Sequence, residues 1–136
     1  MNESDFKKWV RKNWPWWIES YEPRRGTGIG IPDLQIVVGG RLVPVELKVG
    51  EFHNGKLITR EVRPAQIVWH RDINSHGIRT VLLVGVYDLS KEEWQAYPID
   101  ARLINEWRNG YSIGEPLVET NFASLFDLWC QQLLTT

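Results

Sequence analysis

Cysteine is nearly absent from this chain: Cys130 is the only one in 136 residues. A lone thiol excludes an intrachain disulfide and a thiolate zinc cage. Histidine is also scarce, with three in all. His53 stands apart, and His70 and His76 are six residues apart on a predicted helix, on different faces, so a zinc site is not expected. No apolar run approaches membrane-spanning length, and the opening MNESDFKKW lacks the apolar core of a secretory signal. The expectation is a soluble cytoplasmic protein, not secreted and not membrane-bound. An excess of positive charge is missing too, since the formal net charge is −1. That excludes a globally basic nucleic-acid binder but leaves room for a local basic face beside an acidic site. No internal repeat, low-complexity tract or linker is visible, and the length suits one domain spanning 1–136.

What is abundant is tryptophan, eight residues, of which Trp9, Trp14, Trp16 and Trp17 crowd into one short stretch. Core filling and a self-association face are both open readings of that stretch. Positive charge is clustered: Lys7, Lys8, Arg11 and Lys12 in one segment, Arg24 and Arg25 in a second, Lys56, Arg60 and Arg63 in a third. Each cluster by itself reads as a solvated face. The loop from Gly50 to Arg63 is the arm best placed for contact with DNA, with a mobile polar hairpin as the plain alternative.

Local signals order the chain. Ser4 is a candidate cap for a first helix to about Asn13, with Phe6, Trp9 and Val10 on one face. Pro15 interrupts, and Trp16–Glu22 reads equally as a second helix or an edge strand. Residues 23–32, PRRGTGIGIP, form a loop by composition; the glycine spacing does not match a phosphate-binding loop, and no Lys-Ser/Thr follows. Leu34–Val38 and Arg41–Val49 read as two strands joined at Gly39-Gly40, a strong two-residue hairpin signal. Residues 50–62 are a polar loop or small ribbon. Pro64 opens a helix to about His76, which Gly77 stops. Arg79–Tyr87 is a buried strand. Ser90–Glu93 has a capping-box pattern, although WQAYPI also reads as a strand. Asp100 caps a helix to about Asn109, and Asn121 caps a last amphipathic helix bearing Phe122, Leu125, Phe126, Leu128, Trp129 and Leu133. The order describes an α/β architecture with a central mixed β-sheet flanked by helices.

The hairpin carries the chemistry. With a two-residue loop Val38 faces Arg41, and the same register sets Asp33 opposite Glu46. Directly opposed side chains share a face, with Cβ atoms roughly 4.5–5.5 Å apart. Alternation brings Lys48 to the face of Glu46, while Leu34, Ile36 and Val38 with Val43, Val45 and Leu47 form an apolar face on the other side. Two opposed carboxylates repel, so something must compensate. A shared proton is one possibility. A hard divalent cation is the other: Mg²⁺ prefers carboxylate oxygens, keeps several waters and is often completed by substrate phosphate. The cation accounts for Asp33, Glu46 and Lys48 together. Asp5-Phe6-Lys7 repeats the acid-x-Lys spacing, but on a helix, where i and i+2 do not face together.

The stretch GIPDLQIVVGGRLVPVELKVG resembles the core of the PD-(D/E)XK nuclease superfamily, most of all its VRR-NUC and phage or archaeal Holliday-junction-resolvase branches. VRPAQIVWHRDINSHG followed by RTVLLVGV is similar to the helix and strand that come next there. The resemblance covers about residues 26–86. It implies a restriction-endonuclease-like core over about 1–87, with 88–136 a family-specific decoration. It further implies a Mg²⁺- or Mn²⁺-dependent DNA endonuclease of a bacterial, archaeal or phage-infected cell, selective for branched or junction DNA and working as a homodimer. Asp33 and Glu46 are then metal ligands, the backbone carbonyl of Leu47 completes the shell, Lys48 is catalytic and Gln66 is an auxiliary site residue. A further acid from the first helix is expected, with Glu3 matching best by position and Glu19 and Glu22 as rivals. Arg24, Arg25, Lys56, Arg60 and Arg63 are the DNA-binding candidates. The competing expectations are a catalytically silent nuclease-fold module that binds DNA or protein, and a partner protein that associates through its tryptophans.

Overall fold

The computed structural model describes residues 1–21 and 30–136. The first helix, α1 (Glu3–Asn13), starts two residues earlier than the Ser4 cap would have it. Asn2 is the cap: its side chain accepts from the Asp5 amide at 2.9 Å, and the Asp5 carboxylate accepts from the Asn2 amide at 3.0 Å. This reciprocal pair satisfies two otherwise orphaned donors and leaves Ser4 exposed within the first turn. Strand β1 (Ile18–Ser20) resolves the ambiguity after Pro15 in favour of an edge strand.

Strands β2 (Leu34–Val38) and β3 (Arg41–His53) form the expected hairpin. Val38 pairs with Arg41 and Leu34 with Val45. Gly39 and Gly40 have φ of 56° and 76°, the conformation a two-residue turn of matching twist requires. Beyond Val49, β3 continues as one arm of a ribbon with β4 (Lys56–Thr59). Mutual backbone hydrogen bonds tie Leu57 to Tyr111, so the ribbon is anchored and not a free polar hairpin. Helix α2 (Pro64–Ser75) then leads to β5 (Val81–Asp88), which lies parallel to β3. Strand β6 (Glu93–Asp100) returns antiparallel to β5 through a tight turn in which Asp88 Oδ1 accepts from the Ser90 and Lys91 amides. The capping-box pattern at Ser90 is therefore turn chemistry. A 3-10 helix (Ala101–Arg108) and α3 (Phe122–Leu133) complete the chain. Asp100 does cap, accepting from the Arg102 amide at 3.0 Å.

The sheet runs β1-β2-β3-β5-β6, with β4 on the far end of β3. One parallel pair among antiparallel ones makes it mixed, and helices cover both faces. On one side Phe6, Val10 and Trp14 of the N-terminal segment pack with Phe122, Phe126 and Cys130 of α3 over Leu34, Ile36, Val45 and Leu47. On the other, Leu82, Val84, Tyr97 and Ile99 meet Val62, Ile104 and Tyr111, with Ile67 of α2 packed against them. The tryptophan cluster divides: Trp14 is buried, while Trp16 and Trp17 are half-exposed. Residues 88–136 thus supply a sheet strand and part of the first core. No helix among the described residues is long and apolar enough to cross a membrane.

Gly85 sits where the ring of Phe6 presses on β5. A Cβ there would lie 2.5 Å from the ring, which is itself fully buried. Gly85→Ala is expected to cost roughly 1–3 kcal/mol by overpacking, read as a lower urea midpoint at unchanged m-value. A midpoint within error of wild type would mean that α1 is held elsewhere.

Candidate active site

The position of the candidate site follows from how β3 is shared. Strand β2 covers residues 41–45 of β3, and β4 covers residues 50–53. Between them, on that edge, residues 46–49 have no strand partner. The Asp33 carboxylate fills part of the gap by accepting from the Leu47 amide at 2.9 Å. The Arg60 amide fills another part by donating to the Val49 carbonyl at 3.1 Å. Within a strand the N–H and C=O of one residue point to the same side, so the Leu47 carbonyl is directed at this edge too.

Glu46 and Lys48 project from the opposite face of the sheet to Val45, Leu47 and Val49, as alternation demands. Both are buried, at 2% and 7% exposure. Glu46 and Asp33 are within side-chain hydrogen-bonding reach. Burial, then the hydrogen bond with Asp33 and the Asp33 charge, pushes the Glu46 carboxyl up to about 10, against the opposing pull of Lys48. The Lys48 ammonium donates to the Glu61 carbonyl at 3.1 Å. That bond ties the lysine to the segment joining β4 to α2.

Helix α2 closes the site from the sheet face. Gln66 is buried, and its Oε1 accepts from the Arg63 amide at 3.0 Å, closing the helix start. One turn on, His70 is fully buried, with Nε2 3.4 Å from Glu46 Oε1 and Nδ1 2.8 Å from Thr80 Oγ1. Burial pulls the imidazole down to about 4. With His70 neutral and Glu46 protonated at neutral pH, this contact is a neutral hydrogen bond and not an ion pair. Asn74 Nδ2 donates to Thr80 Oγ1 at 2.7 Å, which extends the chain of hydrogen bonds to the end of α2. Sequence spacing had served only to set His70 apart from a zinc site. Its contact with Glu46, 24 positions away, had no sequence signal.

Of the two acids considered in the N-terminal segment that are among the described residues, Glu3 is the one near the site. Burial raises its pKa, and the charges of Lys48, Asp33, Arg60 and Arg63 all act on it. It lines a cleft of about 400 Å³ with Lys7, Lys8, Arg11, Asp33 and Leu47. Glu19 is exposed on β1 opposite Gln35, and Glu22 lies outside the described residues, as do Arg24 and Arg25. Arg60 and Arg63 therefore border the site, whereas Lys56 stands at the ribbon tip, paired with His53 and close to Gly110.

The donor set bears on the cation expected from the sequence. Among the described residues no group of three or more His, Cys, Asp or Glu side chains is gathered closely enough to hold a metal ion. What the edge offers is two carboxyl groups, a main-chain carbonyl and open space. That set fits a hard cation that keeps several waters, and does not fit zinc.

Fold and site together define an α/β domain whose cleft pairs two carboxyl groups with a buried lysine at an open strand edge. No protein-family model matches the chain, and no curated protein matches it. Among solved structures it is similar to a bacterial homing endonuclease, at 13% identity and a TM-score of 0.40, covering 95% of this chain and 85% of that one. A superposition that loose carries no argument about activity.

Proposed function

We propose that the protein is a Mg²⁺- or Mn²⁺-dependent DNA endonuclease of the PD-(D/E)XK type, with Asp33, Glu46 and Lys48 as its catalytic set. The observation that carries the reading is the meeting of Asp33 and Glu46 at the uncovered edge of β3, with Lys48 on the face of Glu46. Two carboxyl groups brought together there, one of them buried, are unfavourable for folding alone. A chemical role explains their presence.

Asp33, Glu46 and the Leu47 carbonyl would hold the divalent ion, with Glu3 the nearest further acid. When bound, such an ion polarises a phosphate oxygen and neutralises charge that develops during hydrolysis. The chain's own residues do the rest. Asp33 is fixed by the Leu47 amide, so one carboxylate oxygen stays aimed along the strand edge. Lys48, held by Glu61, supplies a cation that hydrogen-bonds a non-bridging phosphate oxygen and orients the attacking water. His70 holds Glu46 from behind, with Thr80 and Asn74 fixing the imidazole in turn. Gln66 fixes the start of α2, from which His70 projects. Selectivity for branched DNA and a homodimeric working form rest on the sequence resemblance.

Cleavage of labelled duplex, flap and four-way-junction DNA in Mg²⁺, Mn²⁺ or EDTA tests the proposal. Cutting in either metal and none in EDTA is expected. DNA binding without cutting of any substrate would turn the assignment to a silent binding module. The support behind Glu46 has its own test. His70→Leu removes a hydrogen bond to Glu46 and leaves Thr80 short of a partner, which is expected to cost roughly 1–3 kcal/mol. Urea unfolding measures it, and a loss under 0.5 kcal/mol would show that the polar chain is not what holds α2 on the sheet.

A further inference from the structure

We propose that α1 is the path of one DNA strand into the candidate active site, with Lys7, Lys8 and Arg11 taking successive backbone phosphates. The proposal rests on the nuclease reading and names the surface that binds its substrate.

Glu3, Lys7 and Arg11 follow one another at i, i+4 and i+8, so they form a single stripe along α1. Its head, Glu3, is in the cleft beside Asp33 and Leu47, and Lys7, Lys8 and Arg11 line the same cleft. At 1.5 Å per residue the stripe is about 12 Å long. With a phosphate about every 3.4 Å per strand along a duplex axis, it spans about three nucleotides. It starts at the candidate catalytic carboxylates and leads away from them.

The helix dipole does not explain these charges. It favours Arg11 and Lys12, which stand in the last turn, but not Lys7 and Lys8 in the middle. Lys8 with Arg11, Lys7 with Arg11 and Lys8 with Lys12 are like-charge neighbours at helical spacing, each mildly destabilising. Among the described residues the contacts between basic and acidic side chains are His53–Glu51, His70–Glu46 and Arg102–Asp100, so none neutralises this stripe. Arg11 does donate to the Ser20 hydroxyl, which directs its guanidinium along the cleft wall.

Four other cations are committed elsewhere. Arg41 donates to the Leu134 carbonyl, Arg79 to those of Asn74 and Thr136, and Arg102 to Asp100, while Arg108 lies over the Trp107 ring. Arg60 and Arg63 act on Glu3 from another side of the site. The cleft therefore has cations on both flanks, a groove suited to a polyanionic strand.

The test is fluorescence anisotropy of labelled duplex and four-way-junction DNA in EDTA across a salt series, which needs no cleavage. The variant is Lys7→Gln, Lys8→Gln and Arg11→Gln combined, since glutamine keeps helix propensity; circular dichroism checks the fold. Affinity is expected to fall on the order of 10- to 100-fold, and the slope of log K against log salt to shrink by about 2–3. The control Lys91→Gln with Arg108→Gln, at two residues that do not line the cleft, is expected to bind as wild type does. An unchanged slope in the triple variant, with cleavage by wild type intact, overturns the strand path and leaves the nuclease reading standing. A reduced slope, with no cutting of any DNA by wild type in Mg²⁺ or Mn²⁺, does the reverse. Absence of DNA binding by wild type overturns both.

Discussion

Lys48→Ala is expected to lower DNA cleavage by about 10²–10⁴-fold, the range for removing a positioned proton-transfer or charge-stabilising group. The effect should fall on the rate with bound DNA more than on binding. Lys48 is 7% exposed and donates to the Glu61 carbonyl, so it is poorly placed to serve as one of many solvent-facing phosphate contacts. Single-turnover cleavage at saturating DNA measures the rate, and anisotropy in EDTA measures the affinity. Lys48→Arg should not restore the rate, because a planar fork cannot take the place of a compact ammonium in so enclosed a position. If Lys48→Ala cuts within threefold of wild type, the lysine is structural and the catalytic assignment fails. Loss of binding and cleavage in parallel would make it a substrate anchor instead.

The second large effect concerns stability in the absence of metal. Glu46→Gln is expected to make the protein more stable than wild type in EDTA at neutral pH, by roughly 1–3 kcal/mol. Keeping a buried carboxyl protonated beside Asp33 at neutral pH costs stability, and an amide of the same shape needs no such proton while keeping a hydrogen-bonding group. The pH dependence has a definite sign. With the folded carboxyl raised from 4.5 to about 10, the native state keeps a proton that the unfolded chain has lost. Stability from this group is therefore full below pH 4.5 and falls as pH rises towards 10. Wild type should show that decline in EDTA, and Glu46→Gln should lack its share of it. Saturating Mg²⁺ or Mn²⁺ should reverse the order, stabilising wild type by an amount set by affinity, about 2.7 kcal/mol at a hundred times Kd, seen as a higher Tm. The variant should respond little. A variant less stable than wild type in EDTA, and still shifted by the metal, would mean that Glu46 is a structural acid.

The two experiments rely on different observations. The first depends on Lys48 sharing a face with Glu46, the second on Asp33 meeting Glu46 at the strand edge. A failure of one would leave the other informative.

The hairpin was legible in the sequence because its information is local. Gly39-Gly40 sets a two-residue turn, the turn sets the register, and alternation assigns each side chain a face. Asp33, Glu46 and Lys48 could be brought together from those three facts without knowing any other part of the chain. The stop of α2 at Gly77, the buried strand β5 and the cap at Asp100 are local in the same sense. Where two local signals competed, the sequence could not choose. The cap expected at Ser4 falls instead to Asn2, because Asp5 returns its hydrogen bond. The four crowded tryptophans gave no hint of which would be buried. Trp14 alone of the Trp14, Trp16 and Trp17 group reaches Phe122 and Phe126 in the core, and those belong to a helix more than a hundred residues away.

Only tertiary structure decided what surrounds the hairpin, because sheet order and helix docking depend on contacts between segments far apart in sequence. The bare edge at residues 46–49 exists because pairing with β2 stops at Val45 and pairing with β4 starts at Gly50. His70 reaches Glu46 because α2 crosses the sheet between β4 and β5. Glu3 comes within reach of Asp33 because Phe6 and Val10, at i+3 and i+7 from it, seat that side of α1 on the sheet. Periodicity says which face of an element is apolar, not which other element that face will meet. Side-chain alternation determined the two carboxyls and the lysine; the docking of three distant segments against one strand made a cleft of them.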